Sequence, residues 1–168
     1  MSHYTVAVLV RNRFGVLNRV TSMFRRRQFN IGALTVSETE SNEYSRITVT
    51  FDGEEWYKEQ LINQLYKLPD VCSIKEFDAD NCVSAELLLI KIENKTENRE
   101  EIRAAADAYG AKTVDYTKDS IMFQLTDSSR RIDDFIDLMR DFGILEICRT
   151  GVVSLGKGSD TIRESVIY

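Results

Sequence analysis

The stretch Val10-Arg11-Asn12-Arg13-Phe14-Gly15-Val16-Leu17-Asn18-Arg19-Val20 is where this sequence comes nearest to a small-molecule site. A strand-like run gives way there to a helix across a short loop, and Gly15 sits at the helix entrance. The first four N–H groups of a helix have no intrahelical partner, and they attract a carboxylate when the chain beside them is slim enough to admit it. Asn12 offers an amide donor and acceptor for a ligand's carboxylate and ammonium groups, and Leu17 with Ile31 can border a small apolar pocket. On spacing alone the alternatives stay open. A glycine in a strand-to-helix turn is more often conformational, and Asn30, just before the second strand, is more often a helix-exit or turn residue.

Groups for bond-making chemistry are sparse. The single histidine, His3, lies at the extreme N-terminus, so no histidine base stands beside a nucleophile and no histidine-based metal cluster is expected. Neither a Walker-type nor a Rossmann glycine pattern occurs, and Gly151 and Gly156-Lys157-Gly158 are in the wrong context to cradle phosphate. Asp133, Asp134, Asp137 and Asp141 lie around the outward part of a helical pattern, which reads as a solvated face. Arg25-Arg26-Arg27 can attract an anion or a partner, but cations are also favoured at a helix C-terminus by the macrodipole. The expectation is a binding protein with no catalytic residue and no metal.

Composition points the same way. The formal charge is −5, and a general nucleic-acid binder needs a clustered basic face. The first 78 residues hold ten Lys/Arg against ten Asp/Glu, so the whole acidic excess lies in the second half; two modules with different surfaces are implied. Cys72, Cys82 and Cys148 are too few and too unevenly spaced for a disulfide framework. No apolar run is long enough to span a membrane and no signal peptide opens the chain, so a cytoplasmic location is expected.

The elements that must carry these residues repeat. Tyr4–Val10 reads as a strand, Val16, Leu17, Val20, Met23 and Phe24 recur at helical spacing, and Ile31–Ser37 and Tyr44–Phe51 form a hairpin. Tyr57, Leu61, Ile62, Leu65 and Leu68 mark a second helix, stopped by Pro69-Asp70 before the strand Val71–Phe77. The second half repeats this order: Glu86–Ile92, a helix capped by Gly110, Lys112–Tyr116 with Ile121–Leu125, a helix bearing Ile132, Phe135, Ile136 and Met139, then Ile144–Leu155, with a break possible at Gly151. Two ferredoxin-like βαββαβ domains of α+β class follow. The expected bounds are 1–78 and 85–155, with a linker at 79–84 and a tail at 156–168.

Asn12-Arg13-Phe14-Gly15-Val16-Leu17-Asn18-Arg19-Val20, then Phe24, then Phe29-Asn30-Ile31-Gly32-Ala33-Leu34-Thr35-Val36 resemble the N-terminal ACT domain of acetohydroxyacid (acetolactate) synthase small subunits. Ser45-Arg46-Ile47-Thr48-Val49 matches the family's third strand. The similarity runs on through Gln64–Leu68, Val71 and Glu86–Lys91 to Arg149-Thr150-Gly151-Val152-Val153. Gln28 stands where the family pattern has glycine. The resemblance implies a non-catalytic regulatory subunit in valine, leucine and isoleucine biosynthesis. Such a subunit activates a catalytic partner and confers feedback inhibition by a branched-chain amino acid, valine first. It implies a homodimer joined edge to edge, with Asn12, Gly15, Val16 and Leu17 from one subunit and Asn30 and Ile31 from the other forming the effector site. Thiamine diphosphate, Mg²⁺ and often FAD would belong to the large catalytic subunit, with no cofactor on this chain.

Three rivals can be discriminated. An RNA-recognition module shares the element order, but Tyr44, Arg46, Thr48 and Thr50 supply only one aromatic on the third strand. A free-standing ACT-type sensor would regulate some other protein and would not co-purify with a thiamine-dependent subunit. A stand-alone enzyme would form acetolactate from pyruvate by itself.

Overall fold

The computed structural model describes residues 2–78 and 80–165. Ala79 of the expected linker and residues 166–168 of the expected tail lie outside them. In the first half the order is β1 (Ser2–Arg11), α1 (Val16–Arg26), β2 (Ala33–Glu38), β3 (Tyr44–Gly53), α2 (Glu55–Leu65) and β4 (Val71–Phe77). The strands form one antiparallel sheet in the order β2-β3-β1-β4. Alternation fixes the register: Val6 opposes Val49 and Val8 opposes Ile47, so their side chains share one face with Val10 and Phe51. Val16, Val20, Met23 and Phe24 of α1 and Leu61 and Leu65 of α2 close over that face. Each fully buried side chain of this kind contributes on the order of 1.5–3 kcal/mol. A one-residue slip would turn the whole set outward, which makes this register strongly preferred.

The second half repeats the arrangement, as expected. It contains β5 (Cys82–Glu93), α3 (Arg99–Tyr109), β6 (Lys112–Tyr116), β7 (Ser120–Asp127), α4 (Ser129–Met139) and β8 (Ile144–Arg149), with strand order β6-β7-β5-β8. Leu88, Ile90 and Ile92 face Ile102 and Ala106 of α3 and Ile132, Phe135, Ile136 and Met139 of α4. Gly110 ends α3 in the left-handed conformation at φ 69°, the geometry that favours glycine after a helix. Among the described residues no helix is long and apolar enough to cross a membrane.

The final strand breaks at Gly151, where the sequence allowed it: β8 stops at Arg149, Gly151 turns with φ 76°, and β9 (Val153–Gly156) pairs with β5. The expected linker and tail fold differently. β5 begins at Cys82, inside the expected linker. The two compact units are Met1–Ser84 with Val152–Tyr168, and Ala85–Gly151. Residues 156–165, expected to be part of a tail, belong to the first unit. A 3₁₀ turn at Ile162–Ser165 follows β9, and Ile162 is buried against Ala7 and Leu9 on the sheet face away from the helices. The physical reason lies in β1, where Val6-Ala7-Val8-Leu9-Val10 is buried without interruption. A strand apolar on both faces needs cover on both. The helices cover one face, and Ile162 with Tyr44, Cys72 and Phe77 contributes to covering the other.

Candidate functional site

The entrance to α1 is built by hydrogen bonds that hold the loop and leave the helix end open. The Arg11 N–H donates to the Asp70 carbonyl at 2.9 Å and the Asn12 N–H to the Glu43 carbonyl at 2.7 Å. Gly15 then takes φ 81°, ψ −3° at the N-cap, with no side-chain capping bond and no acidic residue in the first turn. A Cβ built on Gly15 meets nothing within 4 Å. The glycine is thus needed for its left-handed backbone, and the helix end beside it carries no side-chain cap, although the Val16 N–H donates to the Arg13 carbonyl at 3.3 Å. Val16 turns into the core, whereas Leu17 is 43% exposed beside the opening. The Asn12 amide donates to the Asn42 carbonyl at 3.2 Å and, at the 3.5 Å limit, to Glu38 Oε1. It is thus tied to the β2–β3 turn. Arg19, one turn into the helix, forms an ion pair with Asp70.

Asn30 and Ile31 lie at the other end of α1. The helix exits through a Schellman arrangement in which the Phe29 N–H reaches the Phe24 carbonyl at 2.9 Å and the Gln28 N–H reaches that of Arg25 at 3.2 Å. Gln28 carries the left-handed φ of 56° that this exit requires, which explains the glycine in the family pattern. The Asn30 N–H donates to Tyr57 Oη at 2.7 Å, and Ile31 packs against the first core. Eleven helical residues separate the two groups, a rise of about 16 Å. One copy of the chain does not bring Asn30 and Ile31 to the Asn12–Leu17 loop.

Comparison with known proteins gives this geometry a context. Residues 6–73 match the family described as "AHAS small subunit-like ACT domain", and residues 85–158 match "Small subunit of acetolactate synthase". The acetolactate synthase small subunit of Bacillus subtilis is 39% identical over 156 residues, which cover 92% of this chain and 90% of that protein. This chain belongs to the acetolactate synthase small-subunit family. The small subunit of Mycolicibacterium smegmatis is likewise 39% identical, over 92% of this chain and 91% of its own length. The crystal structure of the small subunit from Thermotoga maritima superposes with a TM-score of 0.88 at 30% identity, covering 95% of this chain and all of that one.

Within the second βαββαβ domain the structure adds a buried charge that sequence reading passed over as part of a strand. Glu86 is 4% exposed and accepts from Arg149 Nε at 2.6 Å, Arg149 Nη2 at 3.0 Å and Ser129 Oγ at 2.9 Å. Arg149 Nη1 also reaches Asp133 Oδ1 at 2.7 Å, so Asp133 is not simply part of a solvated face. Burial alone would raise the Glu86 carboxyl pKa, but Arg149, Ser129 and the Gly151 N–H together hold it below the ordinary glutamate value. This network clamps the end of β8 immediately before Gly151 turns the chain toward β9. The available sequence signal was a lone acid directly before the apolar run Leu87–Ile90 of β5 and a lone Arg where β8 ends. Among the described residues, no group of three His, Cys, Asp or Glu side chains is placed to hold a metal ion.

Proposed function

We propose that this chain is the regulatory subunit of an acetolactate synthase, activating a thiamine-diphosphate-dependent catalytic subunit and making it sensitive to a branched-chain amino acid, valine first. The observation that carries the effector reading is the division of the candidate residues between opposite ends of α1, beside a strand that is the free edge of its sheet. β2 pairs only with β3 in the order β2-β3-β1-β4. Antiparallel pairing of two β2 edges would set the Asn30–Ile31 end of one copy beside the Glu38 end of the other. Glu38 is the residue that the Asn12 amide approaches. Such a homodimer completes the site twice by symmetry and covers an otherwise exposed edge.

In that site the ligand's carboxylate meets the uncapped N–H groups behind Gly15. Its small branched side chain lies between Leu17 and the second copy's Ile31, where a larger polar side chain would remain unpaired. A regulatory protein acts by shifting its partner between states of different activity, and the effector acts by binding those states unequally. The test is to titrate purified chain into the catalytic subunit and follow acetolactate formation from pyruvate, with and without valine, while assaying the chain by itself as a control. Activity that rises with added chain and falls again with valine supports the proposal. A flat titration to saturation removes it, and acetolactate formation by the isolated chain would establish the enzyme rival instead.

A further inference from the structure

The opposite face of the first unit's sheet from the helices also has room for a small molecule. A cavity of about 590 Å³ opens between that face and the segment after β9. Leu9, Phe77, Leu155 and Ile162 give it an apolar wall. Its charged lining comprises Arg46, Lys75 and Arg163 against Glu38, Glu40 and Asp160, three of each sign.

These charges are incompletely used. The Lys75 side chain is 14% exposed, and its ammonium pairs with Asp160 at 2.5 Å without a hydrogen bond of good geometry, so its three donors are poorly employed. Arg46 donates to the Ser154 carbonyl through one of its five N–H groups and stacks over Phe77. Burial lowers its pKa, an effect that Glu40 partly offsets, as expected for a cation short of solvating partners. Glu38 meets no cation among the described residues; its side chain receives only the distant Asn12 amide. Arg163, by contrast, is engaged by Glu40 at 2.9 Å and by the Tyr44 ring. The cavity therefore holds two cations with donors to spare, one carboxylate without a cation, and an apolar wall.

We infer that this cavity is a second ligand site, on the opposite side of Glu38 from the Asn12 amide of the first, and that it takes a small apolar α-amino acid as the zwitterion. The ligand's carboxylate takes the unused donors of Lys75 and Arg46. Its ammonium goes to Glu38, and its side chain replaces water against Leu9, Phe77 and Ile162. Equal numbers of opposite charges in the lining disfavour a ligand with net charge, since either sign would leave a desolvated group of its own kind facing it. Ile162 and Asp160 come from residues beyond both matched family segments, which end at residues 73 and 158. This wall of the cavity is thus supplied by a part of the chain that the family descriptions do not reach.

The test follows the Ile162 methyl resonances of the full-length chain by NMR during titration with L-leucine, L-methionine and L-phenylalanine, each beside its N-acetyl and methyl-ester derivatives. At least one free amino acid should shift them saturably in the millimolar range or below, and both derivatives should fail. Lys75→Met and Glu38→Gln should each weaken that binding about tenfold or more, the effect of removing one hydrogen bond to a charged group. Gly15→Asp should leave it unchanged, which separates this site from the effector site. Absence of a saturable shift with all three amino acids overturns the inference. Equal binding by the derivatives, or full binding by both cavity variants, overturns it as well, and a shift abolished by Gly15→Asp would reassign the signal to the first site.

Discussion

Gly15→Asp tests the effector reading most sharply when it is set beside Gly15→Asn. Neither side chain meets a steric obstacle in the isolated chain, because a Cβ at this position has nothing within 4 Å. The backbone cost arises from φ 81°, which disfavours L-residues by about 1–2 kcal/mol, least for Asn and Asp. An acceptor at the N-cap returns a few tenths of a kcal/mol over glycine, and a carboxylate near the helix dipole about 0.3–1 kcal/mol more. Both variants should therefore fold, with Asp no worse than Asn. Their effect on the ligand differs. Two unit charges about 4 Å apart interact by about 4 kcal/mol at an effective dielectric of 20. Halving this for the open, solvated mouth leaves about 2 kcal/mol, or about thirtyfold in affinity. Isothermal titration of valine into each folded variant should show Asp at least an order of magnitude weaker than Asn, with the gap narrowing as salt is raised. In the holoenzyme, the Asp variant should keep activation and lose most of its valine inhibition. Equal valine affinities for Asp and Asn, with circular dichroism showing both folded, would refute the placement of the ligand's carboxylate at this helix end.

Gln28→Gly removes the only non-glycine left-handed residue among the described residues; it should stabilise the chain by about 0.5–1 kcal/mol, the αL penalty less the added freedom of the unfolded glycine. An unchanged or lower urea midpoint would contradict that account. Val36→Lys places a charge on the free β2 edge, where Val36 is exposed, and should shift the chain from dimer toward monomer in sedimentation at micromolar concentration. A dimer of undiminished stability would point to another interface. Arg149→Met leaves the Glu86 carboxylate buried and unpaired, and chemical denaturation should show a loss of about 2–3 kcal/mol, discounted for the part-exposed arginine. Because Glu86 titrates lower in the folded chain than its unfolded value of about 4.3, its contribution is complete above that pH and disappears as pH falls through the folded value. Glu86→Gln should flatten that acid limb of the stability curve; an acid limb as steep as wild type would assign it to other carboxylates.

Sequence periodicity by itself determined the two βαββαβ repeats, because each strand and helix must turn a complete apolar set to one side and few element orders satisfy that requirement. It also marked the β1–α1 turn, since an uncapped helix entrance at glycine is a local feature with a local signal. Val71–Phe77 and the glycine ending α3 were legible for the same reason. Long-range contacts were not. Glu86 and Arg149 lie 63 residues apart, and neither has a local pattern that announces a buried pair. The left-handed Gln28 was visible only as a departure from a family pattern, and its Schellman bonds gave that departure a physical meaning. The end of the chain shows the division most plainly. Its polar, aperiodic composition reads as a tail, yet Ile162 packs on the outer face of β1 and Asp160 pairs with Lys75. The continuous apolar run Val6–Val10 required cover on both faces, but an apolar strand specifies only that water be excluded. Which segment excludes it was decided by tertiary structure, because hydrophobic cover is non-directional and only the folded chain brings residues some 150 positions apart into contact.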